Sequence, residues 1–437
     1  MSPLSRRRFL QSLSAAGALT AGGAALAACS GGAPGRSEPL ALPESAAANG
    51  QNRGAATSGD ESPVGRLIPG AVEGRVLVIV DLLGGNDGLS TLIPAGDPRY
   101  YDLRPNLAVP DDEVLALDDE VGLHPSLARL HRRGITTVEG VGPVGGDLSH
   151  FAMTERWERG DVTGANALRT GFLGRLADSV DDGSALVGVS MHGPTAHLIT
   201  QQAATMALNG PEDLWFLEPS EWHEVLAFQQ GLAGFGEAEN TPLHQLVNSS
   251  YGELTSLAAD LASHEQDEVD WESSMIREGG DLGKSLHFAA DLIAADVGLR
   301  VVYVGDGDYD THGDHKWRQA DNLSRVDAAV DGFLQQAENL GFADQVLVAT
   351  ISEFGRRVPE NGSGLDHGAG STMLLAGPVA NQRLGERPAL DDLDDDDNLR
   401  VTVGFDRYLG GLAEDWLGVE AASVLPNTSE PLSLFAG

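Results

Sequence analysis

From residue 75 onward, short apolar runs alternate with longer amphipathic stretches. Val76-Leu77-Val78-Ile79-Val80 is apolar without interruption, as expected of a strand buried on both faces. Pro125 to Arg133 has helical spacing, Ile135 to Val141 reads as a strand, and Ser149 to Arg159 as a helix. Further strands are expected at Ala185–Met191, Arg300–Val304, Gln345–Ile351 and Ser371–Ala376. A long helix is expected over Trp317–Leu340, where Leu323, Val326, Val330, Phe333, Leu334 and Ala337 share one face. Tyr408–Trp416 reads as a closing helix. Strands separated by helices predict a three-layer α/β/α domain with a mostly parallel central sheet. The stretch of about 200–298 breaks the alternation. Leu243, Leu246, Leu254, Leu257 and Leu261 predict a helical insertion there, capping one end of the sheet.

The first 72 residues have no such pattern. Ser5-Arg6-Arg7-Arg8-Phe9-Leu10 matches the twin-arginine export pattern, with Arg6 and Arg7 as the pair. The apolar run that follows is too short and too rich in Ala and Gly for an ordinary membrane span. Leu26-Ala27-Ala28-Cys29 resembles a bacterial lipobox, and Cys29 is the chain's single cysteine. The expected organisation is therefore a lipoprotein signal peptide over 1–28, a flexible tether over 29–72 and the folded domain over 73–437. The expected location is extracytoplasmic, at the cell surface or in the periplasm, lipid-anchored through Cys29. The twin-arginine translocase is the expected partner during export. A translocase that carries folded proteins suits a chain that takes up its cofactor first.

Charge narrows the partners. The 437 residues contain 65 acids and 28 bases, for a formal net charge of -37. Such a surface repels phosphate backbones, so nucleic acid is excluded as a general partner. It serves solubility, with a salt-rich habitat as the sharper reading. The run from Asp391 to Asp397 reads as a solvated loop, with calcium binding the alternative.

Polar clusters follow the expected strands. "LLGGNDGLS" (Leu82 to Ser90) comes after the first strand, "GGDLSHF" (Gly145 to Phe151) after the second, and "GDYDTHGDH" (Gly307 to His315) after the Arg300 strand. "ISEFGRR" (Ile351 to Arg357) ends the Gln345 strand, and "GLDHGAG" (Gly364 to Gly370) lies in the next loop. Ligands bind beyond the carboxyl ends of strands in such sheets, so these segments are expected to converge. Asp310 and His312 stand two apart and would face one side of an extended chain, as a pair of metal ligands. Asp308 is an alternative carboxylate, and His315 is a weaker candidate because it begins a helix. Asp366 and His367 form a second carboxylate–imidazole pair. Asp87 is either turn chemistry or a strand-end ligand. Glu353, ending an apolar strand, needs a metal or a partner such as Arg356 or Arg357. Ser149 at a helix start is either an N-cap or a nucleophile.

Together the stretches Arg75 to Val109, "LHPSL" (Leu123 to Leu127), "SHFAMTERWERG" (Ser149 to Gly160), "DTHGDH" and Ser352 to Gly370 resemble the domain of unknown function 1501 family. The resemblance covers about Arg75 to Gly418. That family looks like a branch of the alkaline phosphatase and sulfatase superfamily, which implies an α/β/α fold and a two-metal site with a Ser, Thr or modified Cys nucleophile. By this resemblance Asp87 is the first-strand ligand, Ser149 the nucleophile, Asp310 and His312 a ligand pair, and His367 the late histidine. Glu353 stands where active members often carry an Asp-His pair, but Phe354 follows it. Formylglycine-type sulfatase chemistry is not expected, since no cysteine other than Cys29 is present.

The leading expectation is a metal-dependent hydrolase of a small anionic ester, phosphate before sulfate. Ser149 would attack, and Asp87, Asp310, His312, Glu353, Asp366 and His367 would hold one or two divalent ions (Zn, Mn, Mg or Ca). The alternative is a non-catalytic metal-binding protein of the same fold that binds or assembles an envelope component. A calcium-stabilised structural domain is a third.

Overall fold

A computed structural model describes residues 66–68, 74–146, 148–210, 274–427 and 429–435. Nine strands form the central sheet: β1 (Val76–Leu82), β2 (Thr136–Gly142), β3 (Gly188–Ser190), β4 (Thr205–Ala207), β5 (Val301–Asp306), β6 (Val346–Ile351), β7 (Ser371–Ala376), β8 (Gln382–Gly385) and β9 (Val403–Gly404). Their order is β8-β2-β7-β6-β1-β5-β3-β4, with β9 also pairing β2. Every pairing is parallel except those of β7, which runs antiparallel to β6 and β2.

All seven residues of β1 are buried, as the apolar run Val76–Val80 predicts for the first five, and buried Asp81 accepts from the Tyr303 hydroxyl at 2.9 Å. Alternate side chains feed two cores. Val76, Val78, Val80 and Leu82 pack with Leu282 and Leu286 of α3 (Ser274–Ala294) and with Leu323, Val326, Val330 and Phe333 of α4 (His315–Leu340). Leu77 and Ile79 pack on the other face, with Phe172, Leu173 and Leu176 of α2 (Phe172–Val180) and Phe405, Tyr408 and Leu409 of α5 (Phe405–Gly411). The result is the expected three-layer α/β/α arrangement with a largely parallel sheet. Burying each large apolar side chain contributes roughly 1.5–3 kcal/mol, so the period-two alternation of β1 fixes which residues face which helical layer.

Several elements differ from the sequence reading. Within the stretch expected to be a helical insertion, Thr205–Ala207 is the edge strand of the main sheet. Helix α3 packs against the sheet and α4 as part of a layer. Leu243, Leu246, Leu254, Leu257 and Leu261 lie outside the described residues, as do Arg6, Arg7 and Cys29. Part of the expected tether is docked: the Ile68 amide donates to the Gly418 carbonyl at 2.6 Å and the Glu420 amide to the Arg66 carbonyl at 2.7 Å. Among the described residues no helix is long and apolar enough to cross a membrane.

Phe333 of α4 has no solvent exposure and lies in the core beneath the sheet. Phe333→Ala is expected to lower unfolding free energy by about 3–5 kcal/mol, measured by urea denaturation. A loss under about 1 kcal/mol would contradict the assignment of this helical face to the core.

Candidate metal centre

Topology brings distant segments to one rim. The chain leaves the sheet there after β1 toward Gly84 and Asp87, after β2 toward Ser149, after β5 toward Asp310 and His312, and after β6 toward Glu353. Because β7 runs backwards, its start lies on that rim too, and His367 precedes it by four residues. His367 and Gly368 pair antiparallel with Gly355 and Arg356 in a small ribbon over the edge.

Arg356 ties these loops together. Only 1% exposed, it donates to the carbonyls of Gly84, Gly85, Tyr309 and Leu365 and to the Asp310 carboxylate at 2.8 Å. Burial pulls its pKa down, and Asp310 opposes that pull. Gly84 permits the approach. Its φ is +115°, and a Cβ there would stand 2.4 Å from the Asp310 amide nitrogen. No other residue type fits that conformation and that gap.

Three imidazoles surround Asp310. His150 begins α1 (His150–Arg159) and the other two come from the loops around β5 and β7. The His312 and His367 Nε2 atoms are 3.0 Å apart. They stand 3.1 and 3.4 Å from Asp310 Oδ1, and His150 Nε2 stands 3.6 Å from Oδ2. Every Nδ1 faces an oxygen: His367 the Leu148 carbonyl at 2.9 Å, His150 the Glu353 carboxylate at 2.9 Å, and His312 the Asp366 carboxylate at 3.3 Å. The Glu353 carboxylate and the Leu148 carbonyl accept, which places the His150 and His367 protons on Nδ1. In their neutral forms these two rings turn bare Nε2 lone pairs toward the Asp310 carboxylate. Burial pushes the His367 imidazole down from its ordinary value, with the Leu148 carbonyl working against it. Burial also acts to raise Asp310, but Arg356 outweighs it and holds the carboxyl below its usual range.

These donors fit a metal ion. Neighbouring ligands of a tetrahedral ion at 2.0–2.1 Å stand about 3.3–3.4 Å apart, and the His367–Asp310 and His150–Asp310 separations are 3.4 and 3.6 Å. The ligand atoms of His150, Asp310 and His367 all lie within 4.8 Å of one another. Lone pairs meeting head-on at 3.0 Å are repulsive unless a cation or proton stands between them. Oxygen acceptors behind the His150 and His367 imidazoles fix their tautomers and raise their basicity, as in metal sites generally.

The expected residues divide into those at the centre and those beside it. Asp310, His312 and His367 meet. Asp366 and Glu353 stand behind imidazoles. Glu353 also accepts from the Gly84 amide at 3.0 Å, and neither Arg356 nor Arg357, the partners the sequence suggests for it, pairs with it. Burial pushes its carboxyl up, and nearby Asp81 adds to the rise. Asp87 is engaged elsewhere: fully buried, it pairs with Arg104 at 2.5 Å and with His315 at 3.2 Å. The alternative carboxylate, Asp308, pairs with Arg318. Ser149 is the N-cap of α1, its Oγ accepting from the Ala152 amide at 3.3 Å. Leu148 before it has φ +51°, an uncommon left-handed backbone for a branched side chain. His150 escaped the sequence reading. The available signal was an imidazole one residue inside a helix start, in a loop already expected at this rim. In space it stands beside Glu353, with its ring 5.0 Å from Phe354. An imidazole from α1 thus supplies what the residue after Glu353 does not.

The family model described as "Protein of unknown function (DUF1501)" matches residues 140–382, more than half of the 437. The chain belongs to this family. The match spans His150, Asp310, His312, Glu353 and His367, whereas Asp87 and Arg104 precede it. No curated protein matches the sequence. Similar solved structures include the C-terminal periplasmic domain of phosphoethanolamine transferase EptC from Campylobacter jejuni, at 9% identity and TM-score 0.35, covering 83% of this chain and 98% of that one. A protein in the alkaline phosphatase superfamily from Vibrio parahaemolyticus is similar at 8% identity and TM-score 0.36, covering 85% and 74%. The lipoteichoic acid synthase LtaP from Listeria monocytogenes is similar at 8% identity and TM-score 0.35, covering 80% and 74%.

The Asp87–Arg104 pair generates a prediction for this member of the DUF1501 family. Burial alone would raise the Asp87 carboxyl, but Arg104 and His315 outweigh it and hold the pKa well below the ordinary value. A depressed carboxyl contributes stability that is full above its unfolded value of about 3.9 and fades as pH falls toward the folded one. Asp87→Asn should therefore flatten the acid limb of stability against pH. Arg104→Ala should cost about 3–5 kcal/mol by stranding a buried charge, and urea denaturation from neutral to acid pH measures both. A wild-type acid limb in Asp87→Asn would contradict the assignment.

Proposed function

We propose that this chain is an exported, membrane-tethered, metal-dependent hydrolase acting on a small anionic ester, phosphate before sulfate. One observation carries the reading: three imidazoles place Nε2 3.1–3.6 Å from the carboxylate oxygens of Asp310, and two of them, His150 and His367, are held at Nδ1 by an accepting oxygen. A donor set rich in imidazole favours Zn over Mn, Mg or Ca. His150, Asp310, His312 and His367 would hold one ion. A bound divalent cation would supply Lewis acidity toward an ester oxygen and toward a hydroxyl.

The chain's own residues supply the rest. Ser149 is the proposed nucleophile, next in sequence to His150 and at the start of α1. Amide groups at that helix end favour an anion. Glu353 holds the His150 ring and the Leu148 carbonyl the His367 ring, so both meet the site in one orientation, and Asp366 stands 3.3 Å from His312 Nδ1. Arg356 offsets the charge of Asp310 and keeps its loop against Gly84. Export and lipid anchoring rest on the Arg6-Arg7 pair and on Cys29. The translocase and the membrane are the partners these motifs imply.

Elemental analysis of the purified mature chain should find stoichiometric metal, lost in His367→Ala. Aryl phosphates and sulfates, tested with added Zn²⁺, Mn²⁺, Mg²⁺ and Ca²⁺, test turnover. Ser149→Ala is expected to keep the metal and lower kcat at least about a thousandfold. Metal affinity should weaken in acid as protons compete for the His367 imidazole, which burial holds below its ordinary value. Metal without turnover in the wild type would favour a binding protein of the same fold, and no metal would overturn both.

A further inference from the structure

Behind the centre lies a buried polar chain with no part in the proposed chemistry. Asp310 and His312 face the centre, and Thr311 between them is fully buried. The Thr311 hydroxyl stands 2.7 Å from His315 Nδ1. His315, 1% exposed, places Nε2 3.2 Å from Asp87 Oδ2 and 3.4 Å from Ser90 Oγ. Since the carboxylate only accepts, Nε2 carries a proton. In the neutral tautomer Nδ1 then accepts from Thr311. Asp87 takes two hydrogen bonds from Arg104, at 2.5 and 3.1 Å.

Arg104 continues the chain to the other ligand loop. It donates to the Arg357 carbonyl at 3.0 Å and the Val358 carbonyl at 2.8 Å. Arg357 in turn donates through its amide to the Asp366 carbonyl and through Nε to the His367 carbonyl. Thr311 is also bonded directly across the gap, its carbonyl accepting from the Leu365 amide at 3.1 Å. One end of the network therefore holds the loop of Asp310 and His312, and the other holds the loop of Asp366 and His367. The arrangement is not a nucleophile triad: Ser90 and Asp87 both meet Nε2 of His315, so the ring cannot relay between them.

We infer that Thr311, His315, Asp87 and Arg104 are positioning residues that set the separation of His312 and His367, and so the metal affinity of the centre. This inference rests on the proposed metal site. It explains why Asp87 lies one layer below that site: its charge anchors Arg104 and His315, and they place the ligands. Second-layer partners of metal ligands typically govern affinity by 10–100-fold.

The hydroxyl of Thr311 is the point to test. Thr311→Val keeps shape and removes the donor, whereas Thr311→Ser keeps the donor. Zn²⁺ affinity by competition with a chelator should fall at least about tenfold in Thr311→Val and stay within about twofold of wild type in Thr311→Ser. The absorption spectrum of the Co²⁺-loaded protein should shift in the first variant alone, a change that lost stability by itself would not give. His315→Gln is the second variant should Thr311→Val fail to fold, with the same tenfold loss expected. Wild-type affinity and spectrum in Thr311→Val, or equal losses in both threonine variants, would overturn the inference and leave the metal site standing. A wild-type chain that binds neither Zn²⁺ nor Co²⁺ would overturn the metal site as well.

Discussion

Arg356 carries a positive charge into a place from which water is nearly excluded, and it must be satisfied there. Its guanidinium presents donors in a rigid planar fork, and four backbone carbonyls from three segments converge on it together with Asp310. Withdrawing any of these acceptors leaves a buried donor unpaired, at a cost of about 1–3 kcal/mol. The loops after β1 and β5 and the loop before β7 are therefore held at one fixed spacing. Gly84 completes the constraint, since only a residue without Cβ lets the first loop lie against Asp310. The cluster of imidazoles is a consequence of that spacing.

The fold was legible because its signals are local. The unbroken apolar run of β1 and the single apolar face of α4 each follow from side-chain periodicity and burial. The convergence of loops at one rim followed from the rule that parallel strands end together. The reversed direction of β7 was not legible, because a short buried run such as Ser371–Ala376 reads the same way in either sense. Yet that reversal puts His367 at the correct rim. Thr205–Ala207 was missed because three residues joining a sheet edge carry too little pattern to register.

The site was legible in part. Asp310, His312 and His367 declared themselves by residue type and position. His150 did not, because nothing in the local sequence links it to Glu353, two hundred and three residues away. A ring on α1 meets the same carboxylate from outside the segment. Asp87 shows the converse. It has the residue type of a ligand and the strand-end position of one, but sequence cannot show that Arg104, seventeen residues on, turns its carboxylate inward. Buried ion pairs of this kind depend on tertiary contacts that local patterns do not encode.

The account stands on one cation shared by these side chains. Its most direct test is anomalous diffraction from crystals of the mature chain grown with Zn²⁺. The expected result is a peak within about 2.0–2.2 Å of Nε2 of His150, His312 and His367 and of a carboxylate oxygen of Asp310. A peak elsewhere, or these three imidazoles turned apart with no peak between them, would contradict it.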